Sequence, residues 1–189
     1  LDFKQKIIGE IEQSFHIKKD LLSVSINEIN RAAEMLVETL RSENRIFLCG
    51  NGGSASDSQH IACELVGRLR KKVISAPVFS LAVNVPTLTA LSNDFGYENV
   101  FSRQLDVYAE KGDLLIAIST SGESKNIIKA AEMGKKKGMR IVVMTGEKES
   151  LLSKLANCAI MVPSDDTPRI QEVHILIGHI FAAIIEDEI

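Results

Sequence analysis

The chain has 189 residues, 22 Lys and Arg against 25 Asp and Glu, a formal net charge of −3 and 45% hydrophobic residues. That size bounds one domain with a full core, and the lack of a basic surplus speaks against a nucleic-acid partner. Cys49, Cys63 and Cys158 lack C-x-x-C spacing and no signal segment is visible, which points to a reduced, cytoplasmic protein; the longest apolar run, Ile175 to Ile185, is too short for a membrane span.

The chain opens at Leu1 without a Met, so a few N-terminal residues are expected to be missing or replaced. Residues 2–15 predict a first helix, with Phe3, Ile7, Ile8, Ile11 and Phe15 at near-helical spacing. A second helix is expected over 20–40, with an apolar stripe of Ile26, Ile29, Ala33, Leu36, Val37 and Leu40. Five strand-like runs follow at 45–49, 78–83, 113–118, 140–144 and 159–162. Helical stretches at 54–69, 99–110 and 124–138 separate most of them, and a last helix covers 168–187. This alternation predicts an α/β fold: a three-layer αβα sandwich on a five-stranded parallel sheet, with an N-terminal helical extension. The expected organisation is one domain over 1–189, with oligomerisation helices in 1–42 and the αβα core in 43–189. The N-terminal pair is read as packing on another copy of the chain rather than folding back on its own sheet. The basic run Arg68-Leu69-Arg70-Lys71-Lys72 reads as a solvated helix end.

Two loops of small residues each follow a strand-like run and enter a helix. The first is Cys49-Gly50-Asn51-Gly52-Gly53-Ser54 and the second Ser119-Thr120-Ser121-Gly122-Glu123-Ser124. A strand, a tight turn and a helix start leave backbone N–H groups and hydroxyls free for an anion. Ordinary βα turns also need Gly and Ser; two such loops, one with four hydroxyls in six residues, favour a phosphorylated ligand. Neither has a Walker A Lys or G-x-G-x-x-G spacing, so a sugar phosphate fits better than a nucleotide, and no organic cofactor is expected.

The helix behind the first loop carries Asp57, His60 and Glu64, with His60 and Glu64 on one face. Such a pair can bind metal, divide acid and base work, or be a surface ion pair. The last helix carries Gln171, Glu172, His174 and His179. Spacing aligns Glu172 with His179 better than Gln171, and leaves that helix's constellation undecided. Asn93-Asp94-Phe95-Gly96 reads as turn chemistry first.

Together these motifs, with Arg169-Ile170-Gln171-Glu172-x-His174, resemble the phosphoheptose isomerases of the sugar isomerase (SIS) class, over about 20–187 and in the right order. The resemblance implies a flavodoxin-like sandwich and a homotetramer with active sites at subunit interfaces. It implies conversion of sedoheptulose 7-phosphate to a manno-heptose 7-phosphate, the first step toward nucleotide-activated heptoses of bacterial surface polysaccharides. Phosphate would be held by Ser119, Thr120, Ser121 and Ser124. Asn51, Gly52, Gly53, Ser54, Asn93, Asp94 and Gln171 would line the sugar site. Glu64 and His179 match the catalytic pair, and His60, Glu64, Gln171 and His179 match zinc ligands. Pro168 stands where many members have Asp.

The chemistry agrees with that assignment. Ketose–aldose isomerisation moves a proton between C1 and C2 through an enediol, with a base at carbon and an acid at oxygen. A Glu shielded from water and a His titrating near neutrality suit these tasks. Two competing readings are a non-catalytic sugar-phosphate-binding SIS protein, including the type that partners the replication initiator, and an SIS isomerase for a pentose or hexose phosphate. The presence of both Glu64 and His179 argues against the first, and the His60–Glu64 helix against the second.

Overall fold

The computed structural model describes residues 2–67, 69–70 and 76–189; Arg68, Lys71 and Lys72 of the basic run lie outside them. The elements in chain order are α1 (Lys4–Val24), α2 (Ile26–Arg41), β1 (Ile46–Cys49), α3 (Gly53–Val66), β2 (Val78–Ser80), α4 (Val85–Phe95), α5 (Val100–Tyr108), β3 (Leu114–Ile118), α6 (Lys125–Lys137), β4 (Arg140–Thr145), α7 (Leu151–Leu155), β5 (Cys158–Met161) and α8 (Thr167–Glu188). The five strands are parallel in the order β2-β1-β3-β4-β5.

Strand side chains alternate between two buried layers, as a sheet covered on both faces requires. Ile46 and Leu48 of β1 and Leu114, Ile116 and Ile118 of β3 join one core with residues of α2, α3 and α8. Phe47, Cys49, Leu115 and Ala117 point the other way, into a core with α5, α6 and α7. The expected three-layer sandwich is therefore present.

Several elements differ from the expectation. The first helix continues through Val24, because nothing between His16 and Leu21 breaks it. The apolar stretch before Asn93 is a helix that runs on through Asn93, Asp94 and Phe95, the start of the expected turn: Asn84 caps α4 by accepting from Thr87 N (3.1 Å), and Pro86 sits in the first turn, where its missing N–H costs nothing. The short α7 is set by a capping box between Ser150 and Ser153. The N-terminal helices also differ from each other. Ala32, Ala33, Leu36, Val37 and Leu40 of α2 are buried in the sheet's own core, while α1 buries only Leu21. Phe3, Ile7, Ile8, Ile11 and Phe15 of α1 remain exposed. Folding back on the sheet thus describes α2, and an unpartnered apolar stripe describes α1.

Candidate active site

Both small-residue loops leave the C-terminal ends of neighbouring strands, since Cys49 of β1 registers with Ala117 of β3. From β1 the chain crosses to β2 on one side, while β3 leads to β4 on the other. This is the switch point at which open parallel sheets bind ligands.

The second loop is built around Ser119, buried at the end of β3, whose hydroxyl donates to Ser124 Oγ (3.2 Å). Gly122 turns the chain at φ 68° and donates its N–H to Ser119 O. Ser121 is exposed, and its hydroxyl accepts from Glu123 N (3.2 Å). Thr120 and Ser121 border a cleft of about 200 Å³ with Gly146, Ser164 and Ile170. Ser124 stands at the N-cap of α6 without making a side-chain cap bond. Hydroxyls and first-turn N–H groups thus converge at a helix start, the arrangement that favours a phosphate.

The first loop is held by an amide pair. Asn51 Nδ2 donates to Asn126 Oδ1 (2.9 Å), Asn126 Nδ2 donates to Asn51 Oδ1 (2.8 Å), and Tyr97 OH donates to the same oxygen (2.9 Å). Asn126 lies in the first turn of α6, so this pair fastens the two loops together. Sequence reading missed Asn126 and Tyr97. Each stands just beyond a motif that was recognised, Asn126 two residues after Ser124 and Tyr97 one after Gly96. Asn93 and Asp94 are exposed at the end of α4, where Asn93 Nδ2 donates to Asp94 Oδ1 (2.9 Å). Tyr97 is the side chain of that region tied to the loop.

Behind the first loop, α3 and α8 bring the ionisable residues together. His60 Nε2 lies 3.3 Å from Glu64 Oε1, and the rings of His60 and His179 meet edge to face with centroids 5.0 Å apart. One ligand atom from each of His60, Glu64 and His179 falls within 4.8 Å of the others. The Glu64 side chain is 21% exposed, partly shielded as a base at carbon requires. Two imidazoles and one carboxylate match the donor set of catalytic zinc sites that keep an open position. Ser54 is buried at the start of α3, and Gly53 lies directly against Gln171. A Cβ on Gly53 would stand 2.5 Å from Gln171 Nε2, so only Gly lets the Gln171 amide close over this loop. Glu172, the residue favoured by spacing, turns instead to α1, where its carboxylate accepts from Ser14 Oγ (2.6 Å). Gln171 thus faces the loop and Glu172 faces α1, a division that spacing within α8 does not report.

Asp57, one turn before His60, is half-buried, and its Oδ2 is enclosed with no hydrogen-bond partner. Burial pushes its carboxyl up to about 6, and the neighbouring His60 pulls it part of the way back. His174 is fully buried, with Nε2 3.4 Å from Thr145 O, and burial holds its imidazole down at about 4. It is a neutral core residue tying α8 to the end of β4.

A SIS domain family model matches residues 11–146. A phosphoheptose isomerase of Sulfurimonas denitrificans is 48% identical over 188 residues, covering 98% of this chain and 96% of that protein. A phosphoheptose isomerase of Nitratiruptor sp. is 46% identical over 182 residues, covering 91% and 97%. Among solved structures, the phosphoheptose isomerase of Neisseria gonorrhoeae superimposes with a TM-score of 0.92 at 31% identity, covering 98% of this chain and all (100%) of that one. That of Francisella tularensis gives 0.94 at 30% identity, covering 99% and 100%. Matched over nearly its full length to these relatives in sequence and in fold, the chain belongs to the phosphoheptose isomerases of the SIS-domain family.

Proposed function

We propose that the protein isomerises sedoheptulose 7-phosphate to D-glycero-D-manno-heptose 7-phosphate, the entry step to activated heptoses for bacterial surface polysaccharide. The observation that carries this reading is the convergence of Glu64, His60 and His179 beside a hydroxyl-rich loop on the neighbouring strand. Ser119, Thr120, Ser121 and Ser124 bind the phosphate, far from the reacting carbons. That supplies orientation without touching the bonds that change. Asn51, Gly52, Gly53, Ser54, Asn93, Asp94 and Gln171 meet the sugar hydroxyls.

In the open-chain ketose, Glu64 takes a proton from C1 and returns it to C2. His179 moves a proton between the C1 and C2 oxygens, so that the enediol collapses to the aldose. His60, Glu64, His179 and the Gln171 amide are the residues that would hold a zinc ion. When bound, zinc polarises the substrate carbonyl as a Lewis acid.

The assembly we infer is a homotetramer in a reducing cytoplasm. It is supported by the exposed apolar stripe of α1 and by three unpaired cysteines. In this reading α1 provides the helix used in assembly, while α2 packs into the core that residues 43–189 build. A coupled assay over a panel of ketose phosphates tests the function. Selective turnover of sedoheptulose 7-phosphate supports it, and preference for a pentose or hexose phosphate refutes it.

A further inference from the structure

The first turn of α8 is held in an unusual way. Its N-cap residue, Asp166, makes no side-chain cap bond. A cation, Arg169, sits in that turn, where the helix dipole disfavours positive charge. The Arg169 side chain is only 10% exposed, although arginine is seldom buried without partners.

Its partners come mainly from α1. Arg169 Nη1 donates to Glu10 O (2.6 Å), and Nη2 lies 3.6 Å from Glu10 Oε2 and 2.7 Å from Glu172 Oε1. The other oxygen of Glu172 accepts from Ser14 Oγ (2.6 Å), which in turn accepts from Lys18 Nζ (2.9 Å). One face of α8 is thus tied to three consecutive turns of α1, a helix that otherwise buries only Leu21. Of the two residues between the tied positions, Ile170 is buried in the core and Gln171 lies against Gly53.

We propose that Arg169 is a positioning residue: in a helix start without a side-chain N-cap, its clasp on α1 fixes the rotation of the first turn of α8, and so the placement of Gln171 over the Gly53 loop. Helix ends leave four N–H groups unpaired and fray readily, so a side chain ordered only by this turn needs an outside restraint. A buried ion pair adds little net stability, so the contribution of this one is expected in the register it sets. The N-terminal helix, which supplies none of the assigned site residues, thereby controls how well the site is formed. The inference rests on the proposed role of Gln171 in the sugar and metal site.

The test uses the full-length protein with Glu10→Gln and Ser14→Ala combined, which loosens the clasp without touching α8. Arg169→Met is the second variant, and Arg169→Lys the conservative one. The readouts are zinc affinity by chelator competition, hydrogen exchange over 167–173, inorganic phosphate affinity, and kcat and KM for sedoheptulose 7-phosphate. Both loosened proteins are expected to bind zinc about tenfold or more weakly, the scale for removing an outer support of a metal site. They should exchange faster at the start of α8 and lose kcat, while phosphate affinity at the Ser119–Ser124 loop stays the same. Arg169→Lys should restore part of the loss. Unchanged zinc affinity and exchange in both loosened variants would overturn the inference. So would an equal loss of phosphate affinity, which would mark a general structural defect. If the parent protein does not turn over this sugar, the proposed function fails, while zinc affinity and exchange still decide the clasp.

Discussion

Gly178 of α8 lies so close to Ile61 of α3 that a Cβ on it would stand 2.3 Å from Ile61 Cγ1. His179 is the next residue, and His60 precedes Ile61, so the approach that needs Gly178 is the one that brings the two imidazoles together. Gly178→Ala must push the helices apart. Overpacking of this kind costs about 1–3 kcal/mol. Denaturant unfolding should show that loss, and turnover should drop with it. Wild-type stability and activity in Gly178→Ala would mean the two helices have slack.

Glu64→Gln should leave folding and assembly intact and lower kcat by at least ~10²-fold, the scale of lost general base catalysis. Near-normal turnover in the folded variant would move the base elsewhere.

Ser119→Ala and Ser121→Ala should chiefly raise KM and weaken inorganic phosphate binding. The cost is about 1–3 kcal/mol where a buried partner is left unsatisfied, and less at exposed Ser121. Titration calorimetry with phosphate separates the two sites, and the buried Ser119 should show the larger effect.

Acid stability should depend on His174. Burial depresses its folded pKa to about 4, below the usual value of 6.5, so the unfolded chain binds the proton first. Stability from the neutral ring is complete above about 6.5 and is lost as pH falls toward 4, on the order of 3 kcal/mol in all. Asp57 acts oppositely: its raised pKa, about 6, favours the folded state at low pH, and that advantage fades as pH rises. The clean measurement is therefore the difference between wild type and His174→Gln. That difference should shrink steadily from pH 7 to pH 4. A constant difference would show that His174 titrates alike in the folded and unfolded chain, so that burial does not depress it.

Deleting residues 1–24 should produce a smaller or aggregating species with little turnover, read by light scattering beside an activity assay. The truncation stops at Val24 because α2 belongs to the sheet's core, and its removal would unfold the protein for unrelated reasons. A stable, fully active monomer would leave α1 with a peripheral role.

The sheet, its strand count and the positions of both loops were legible because parallel strands buried on both faces leave continuous apolar runs, such as Leu114–Ile118. His60 and Glu64 were legible as a pair because one helix turn joins them. Spacing did not separate Gln171 from Glu172, because the contacts that turn Glu172 away come from Ser14 of α1, more than 150 residues away in sequence. The α4 helix was obscured because none of its residues is fully buried and its core-facing stripe is short, Leu88 and Leu91 being partly buried against the core. Asn126 and Tyr97 escaped because an amide pair between loops leaves no local pattern.

The packing of α8 also limits how this protein can change. Along its length it is fastened to α1 at Arg169, to the Gly53 loop at Gln171, to the end of β4 at His174 and to α3 at Gly178. A single inserted residue would rotate everything beyond it by about 100° and break several of these attachments at once. Altered sugar preference is therefore open to drift in the exposed α4 segment and the two strand-end loops, while the length of the C-terminal helix stays frozen.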